Sequence, residues 1–234
     1  MSAVLLHGVV PEGTPRPPQA PAHGRCDAGG LVALTSRPPK ALFDDHDGSV
    51  TIEAGLAHDS LLSAYARIGP VLPIRFGAIF SGPEALRGRV AADAAALARG
   101  LARLGMAREY GVSLLRTGGG AAPPLPARTG GNGRDFLSAR AAARRARRSG
   151  SAAVSAFLAD VESRLGSHAA EIRRTGRTDR ERMADLAALV PPEREPDFLR
   201  LADALGPEAA RHGLALRIAG PWPAYSFCAE ASHG

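Results

Sequence analysis

Apolar residues recur along this chain with two different periods. Ala3 to Val10 carries Val4, Leu5, Leu6, Val9 and Val10, and Pro11 stops the run; this is the pattern of a buried strand. Prolines at 11, 15, 17, 18 and 21 predict loop as far as Gly30, and Leu31 to Leu34 reads as a second short strand. Phe43 to Ile52 fits neither period. From Ala57 to Ile68, Leu61, Leu62, Tyr65 and Ile68 return every three or four residues, which predicts an amphipathic helix stopped by Gly69. Val71 to Phe80 alternates instead. Leu72, Ile74, Phe76, Ala78 and Phe80 share one face, and Arg75 lies on the other with Val71, Pro73 and Ile79. Pro73 has no N–H for a ladder, so an edge or a bulge is expected there. Ser81-Gly82-Pro83-Glu84 has the spacing of a capping box. Leu86, Val90, Ala94, Leu97, Leu101 and Leu104 then form one helical stripe up to Gly105, and Glu109 to Arg116 reads as a further strand.

This order of elements approximates a ferredoxin-like α+β domain over residues 1–116, an antiparallel sheet with helices on one face. Residues 117–133, rich in Gly and Pro, read as a linker or exposed loop. Residues 134–234 form a C-terminal α+β part. Its long helix runs from Asp135 to about Arg174, with a possible break at Ser149-Gly150-Ser151. Val154, Leu158, Val161, Leu165, His168 and Ile172 have the spacing of a coiled-coil seam. Met183 to Val190 suggests a strand, Phe198 to Leu205 a short helix ended by Gly206-Pro207, and Leu214 to Ala219 a last strand.

Composition narrows the class. Of 234 residues 45% are hydrophobic, enough for a sizeable core, but only 5% are aromatic, so each aromatic carries weight. The net charge of +6 is almost all arginine, Lys40 being the sole lysine. Arginine excess is discounted here as a nucleic-acid footprint because Ala, Gly and Pro are enriched with it. Cys26 and Cys228 lack metal or redox spacing and read as reduced thiols. No apolar run approaches the roughly 18 residues of a membrane span. A soluble, cytoplasmic chain is expected.

Candidate chemistry is sparse. Arg75, in an apolar strand, calls either for a buried carboxylate partner, with Glu109 the candidate, or for an edge position that reaches solvent. His58 stands beside Asp59, but neighbours on a helix do not face each other, so capping or surface polarity is the favoured role. No histidine pair has metal-ligand spacing. Gly118-Gly119-Gly120 and Gly130-Gly131-Asn132-Gly133 lack the remainder of a phosphate-loop motif. Arg140, Arg144, Arg147 and Arg148 share a helix face. They form either a solvated surface or a basic patch, and the patch would make the chain a nucleic-acid-binding regulator. Trp222, Tyr225 and Phe227 either close the core or anchor a partner. No catalytic residue, metal or cofactor is assigned, and the chain is read as a non-enzyme.

Two segments are denser than anything else: Gly69-Pro70-Val71-Leu72-Pro73-Ile74-Arg75-Phe76-Gly77 and Gly220-Pro221-Trp222-Pro223-Ala224-Tyr225-Ser226-Phe227. With His58, Glu109-Tyr110-Gly111-Val112-Ser113 and Gly133-Arg134-Asp135-Phe136-Leu137, they fall in the order of the conserved signatures of the gas vesicle GvpF/GvpL family. The chain resembles that family, with Ala224 where the family has a second proline. The resemblance implies a similar fold and a role in assembling a gas-filled protein shell. Its partners would be the small hydrophobic shell protein and other gas vesicle accessory proteins, with no nucleic acid or membrane. Arg75, Phe76, Trp222 and Tyr225 are the candidate contact residues. The F-type and the L-type member share these motifs.

Overall fold

Strand β1 (Val4–Pro11) has no polar alternation, and every residue from Leu5 to Val10 is buried. Strand β3 (Leu31–Ser36) is buried over its first five positions. Unbroken apolar strands of this kind belong in a sheet covered on both faces. The computed structural model, which describes residues 3–39, 49–117, 133–176 and 181–228, places them so. β1 pairs antiparallel with β3 on one side and with β4 (Leu72–Phe80) on the other, and β2 (Gly24–Ala28) adds to the far side of β3. β2 lies inside the stretch expected to be loop. It is a five-residue edge strand with Cys26 as its one buried side chain, too short to show a period.

β3 and β4 are both antiparallel to β1, so they run parallel to each other, joined by helix α1 (Ser49–Ala66) with β1 between them. This is the split βαβ of ferredoxin-like folds. Leu61, Leu62 and Tyr65 of α1 pack on Val10, Val32, Leu34 and Val71. Helix α2 (Pro83–Leu104) uses the opposite face. A Cβ on its Gly100 would lie 3.2 Å from the side chain of Leu72, which pairs with Val9, whereas a Cβ on Gly8 would meet Leu62 of α1. The first sheet is therefore covered on both faces rather than on one. Five of the six expected stripe residues of α2 are buried, and Ala94 is half-buried. Its N-cap is Gly82, without a side-chain cap bond, so the expected capping box does not form; Pro83 does open the helix.

Strand β5 (Arg108–Arg116) leaves this sheet and opens a second one. The chain divides into two units, one holding residues up to Glu109 together with the stretch from Gly220, the other Tyr110–Ala219. Where the pattern ends the first domain at 116 and places the tail in the second, the contacts divide seven residues earlier and return the tail to the first unit.

In the second unit β5 is followed by α3 (Gly133–Gly166), β6 (Glu171–Arg174), β7 (Arg182–Val190), α4 (Glu195–Arg211) and β8 (Leu214–Trp222), with strand order β6-β7-β5-β8. This β-α-β-β-α-β sequence in that order is the full ferredoxin-like arrangement. Both helices share one core with the sheet: Phe157, Val161 and Leu165 of α3 and Phe198, Ala202, Leu205 and Ala209 of α4 meet Tyr110, Val112, Leu114, Leu186 and Ala188. Each buried Val, Leu or Phe among them contributes about 1.5–3 kcal/mol. The helix expected to reach Arg174 ends at Gly166, and Ile172 belongs to β6. Its apolar seam faces a sheet and α4, not a coiled-coil partner. The helix passes through Gly150 unbroken. α4 likewise continues through Gly206-Pro207 to Arg211, because Ala209 carries the buried stripe one turn further. Of the expected linker 117–133, residues 118–132 lie outside the described residues, and Gly133 already opens α3.

Candidate functional site

The polar groups of the first unit converge on a histidine that strand geometry re-aims. Leu6 pairs with Thr35 and Gly8 with Leu34, so β1 spends one residue more than β3 between those pairs, and the extra residue is His7. A bulge of this kind turns a side chain out of the normal alternation. His7 thereby faces α1, as its neighbour Gly8 does. Gly8 leaves the room: a Cβ there would sit 2.7 Å from Leu62 Cδ2 and 2.8 Å from the Leu72 carbonyl oxygen. Against β4, an edge strand, the extra residues are on the other side: Leu6 pairs with Ala78 and Gly8 with Pro73, so the edge expected at Pro73 occurs and the strand is irregular just after it.

His7 and His58 share a hydrogen bond between their Nδ1 atoms, 2.9 Å apart, and His7 Nε2 lies 2.8 Å from Ser36 Oγ. One Nδ1–H must donate to the other ring's lone pair. Ser36 can donate or accept, so either tautomer of His7 is satisfied. Both rings are buried, at 3% and 4% exposure. Burial, with His58 next in weight, pulls the pKa of His7 from its ordinary 6.5 down to about 4. His58 is lowered by burial, against a smaller opposing effect from Asp59. Two protonated rings would aim N–H at N–H across this gap, so the pair cannot carry two charges without breaking this bond.

Aromatic rings and the C-terminal stretch close over His58. Tyr225 stacks on it at 6.0 Å and Phe76 meets it edge-on at 5.4 Å. The Tyr225 hydroxyl donates to Asp59 Oδ1 at 2.9 Å, so Asp59 orients the tyrosine, not its neighbouring histidine. Burial and then the Asp59 charge push the Tyr225 phenol up, well beyond its ordinary range. Glu109 accepts the Ser226 backbone N–H at 2.7 Å and its hydroxyl at 2.6 Å. Arg103 donates to the Phe227 carbonyl, and the Phe227 ring is fully buried. A further histidine ties down the proline-rich segment. His23 Nδ1–H donates to the Pro21 carbonyl, leaving Nε2 to accept from the buried Tyr65 hydroxyl at 2.8 Å.

Several sequence expectations change accordingly. Arg75 is exposed on the edge strand and is not the partner of Glu109, whose oxygens go to Ser226. His58 is neither a cap nor a surface residue: α1 begins nine residues earlier, at Ser49, and His58 is on its buried face. Trp222 is 39% exposed, whereas Phe227 closes the core and Tyr225 and Phe76 are half-buried around His58. His7 was not foreseen. Its one sequence signal is a histidine inside the apolar run Leu5-Leu6-His7-Gly8-Val9. The backbone of Arg140, Arg144, Arg147 and Arg148 lies in α3, and their side chains are outside the described residues. Cys26 and Cys228 are free thiols. Among the described residues no cluster of three or more His, Cys, Asp or Glu side chains is arranged to hold a metal ion, and no helix is long and apolar enough to cross a membrane.

Residues 25–229 match the family model described as gas vesicle synthesis protein GvpL/GvpF. Gas vesicle protein L of Streptomyces sp. (strain CB03234) is 29% identical, over 96% of this chain and 89% of its own length. The fold is similar to the crystal structure of GvpF from Anabaena sp. PCC7120, with a TM-score of 0.73 at 16% identity over 97% of this chain and 96% of that one. It is also similar to GvpF from Microcystis aeruginosa, with a TM-score of 0.67 at 18% identity over 97% and 99% of the two chains.

Proposed function

The chain belongs to the GvpL/GvpF family of gas vesicle synthesis proteins, and from that premise we propose that it is a non-catalytic accessory or minor structural protein of gas vesicle formation that binds the small hydrophobic shell protein. The family match across residues 25–229 carries the assignment. A soluble partner would cover the apolar face of the shell subunit, delay its aggregation and deliver it to the growing shell, together with other accessory proteins.

The first unit has surface suited to that task. Ile52 and Leu56, four residues apart on α1 and so on one face, are each 65% exposed. Exposed pairs of large aliphatic side chains favour an apolar partner. Trp222 and Arg75 are the exposed members of the expected contact set. Phe76 and Tyr225 act from behind, fixing His58 and the C-terminal stretch. Nothing favours nucleic-acid binding over this role.

Co-expression with the shell protein, followed by co-purification at two salt concentrations with nuclease present, tests the proposal. Salt-resistant retention of soluble shell protein is expected, reduced in the double variant Ile52→Ser, Leu56→Ser. No retention by the folded wild-type chain would overturn it.

A further inference from the structure

The second unit carries an open cleft of about 640 Å³, within the roughly 300–1,000 Å³ of ligand pockets. It lies among the middle of α3, the ends of β5 and α4 and the start of β7, and its cationic lining is Arg116 and Arg211, with His212 beside them. Among the described residues neither guanidinium is hydrogen-bonded to a carboxylate, although the Glu208 charge lies near enough to act on Arg211. Arg116 lies across Met183, its Nη2 3.2 Å from the thioether sulfur, with no carboxylate among the described residues bound to it. Glu208 is the acid nearest in sequence to Arg211, but both its oxygens are taken by Arg164, at 2.9 and 3.3 Å. The His212 ring is held by stacking on Phe157 at 4.5 Å and 21°. Val154 and Met183 give the cleft an apolar part, and Ser155 is among its small lining residues.

We propose that this cleft binds an acidic peptide segment of a partner protein, its carboxylate between Arg116 and Arg211 and an adjacent apolar side chain against Val154 and Met183. Guanidinium groups match carboxylates in geometry as well as in charge. Small lining residues leave room for an extended backbone. The one ring in the cleft, His212, is already stacked on Phe157, so no free aromatic platform is offered to a nucleic-acid base. This site is independent of the apolar surface invoked for the shell protein.

Fluorescence anisotropy with a labelled, end-capped peptide of alternating glutamate and leucine tests it on the full chain. Saturable binding is expected, weakened about tenfold or more, or roughly 1.4 kcal/mol, by the double variant Arg116→Gln, Arg211→Gln. Ser155→Trp, which fills the cleft from an exposed position, should weaken it as well, with thermal melts confirming that both variants fold. An exposed control, Arg87→Gln in the first unit, should bind as wild type does. Absence of binding by the wild type, equal binding by the cleft variants, equal binding of the glutamine-for-glutamate peptide, or displacement by a single-stranded oligonucleotide at lower concentration than by unlabelled peptide would each overturn the proposal.

Discussion

Glu109 holds Ser226 by two hydrogen bonds, accepting the backbone N–H at 2.7 Å and the hydroxyl at 2.6 Å across 117 positions of sequence. Glu109 is only 6% exposed, so both bonds are largely shielded from water. Bonds to a charged group are each worth about 1.5–3 kcal/mol, and removing the acceptor leaves two donors unmatched. Glu109→Ala should therefore destabilise the protein by about 3 kcal/mol, read as a fall in urea midpoint. Glu109→Gln keeps one acceptor and should cost less. Equal midpoints for Glu109→Ala and wild type would show that the clamp contributes nothing.

Tyr225 and Asp59 form a second tie at 2.9 Å, so Tyr225→Phe, which keeps the ring on His58, isolates the hydroxyl. A loss of about 1–2 kcal/mol is expected. In a double-mutant cycle with Asp59→Ala the two losses should fall short of additive by about 1 kcal/mol. Strict additivity would mean that the two side chains do not interact in solution.

The histidine pair sets an acid dependence. His7 titrates near 6.5 when exposed and at about 4 in the fold, with His58 lowered in the same direction. Between those values His7 binds more protons in the unfolded chain than in the native one, so its contribution to stability falls as pH drops from 6.5 toward 4. The part due to His7 is on the order of 3 kcal/mol. Urea midpoints measured from neutral pH down to 4.5 should decline, and less steeply in His7→Gln. That variant should also be less stable at neutral pH, because the bulge position loses its fit to His58 and Ser36. An equally steep decline in His7→Gln would assign the acid sensitivity to other groups.

Gly8 is required by close approach. A methyl group there would press on the Leu72 carbonyl oxygen at 2.8 Å, a backbone atom that cannot turn aside. Gly8→Ala should cost about 1–3 kcal/mol. Gly55, with nothing within 4 Å of an added Cβ and inside α1, should instead gain from alanine by about 0.5–1 kcal/mol. Thermal melts of the two variants should shift in opposite directions.

Much of the fold was legible because periodicity reports which side chains are buried. The stripe of α2 and the strand expected from Met183 to Val190 sit where the pattern puts them. The stops were less reliable. Gly206-Pro207 looks like an end, yet the buried Ala209 keeps the helix going, and β2 is too short to have a period. The family signatures were visible as glycine- and proline-framed aromatic segments, and they mark the elements around His58 and the C-terminal tie. The partners inside that site were not visible. Arg75 and Glu109 were natural partners on paper, but an edge strand lets the arginine reach water and leaves the carboxylate to Ser226.

Sequence alone determined that this is an α+β chain, where most of its longer strands and helices lie, and which family it belongs to. Those properties depend on local period and on short motifs. Tertiary structure alone decided that β5 opens a second sheet, that β1 bulges at His7, and that His7 meets His58 while Tyr225 meets Asp59. The last two pairings join residues 51 and 166 positions apart. A hydrophobic pattern records how deeply a side chain is buried. It does not record which buried polar group will lie opposite, because that follows from strand register and from the path by which the chain returns.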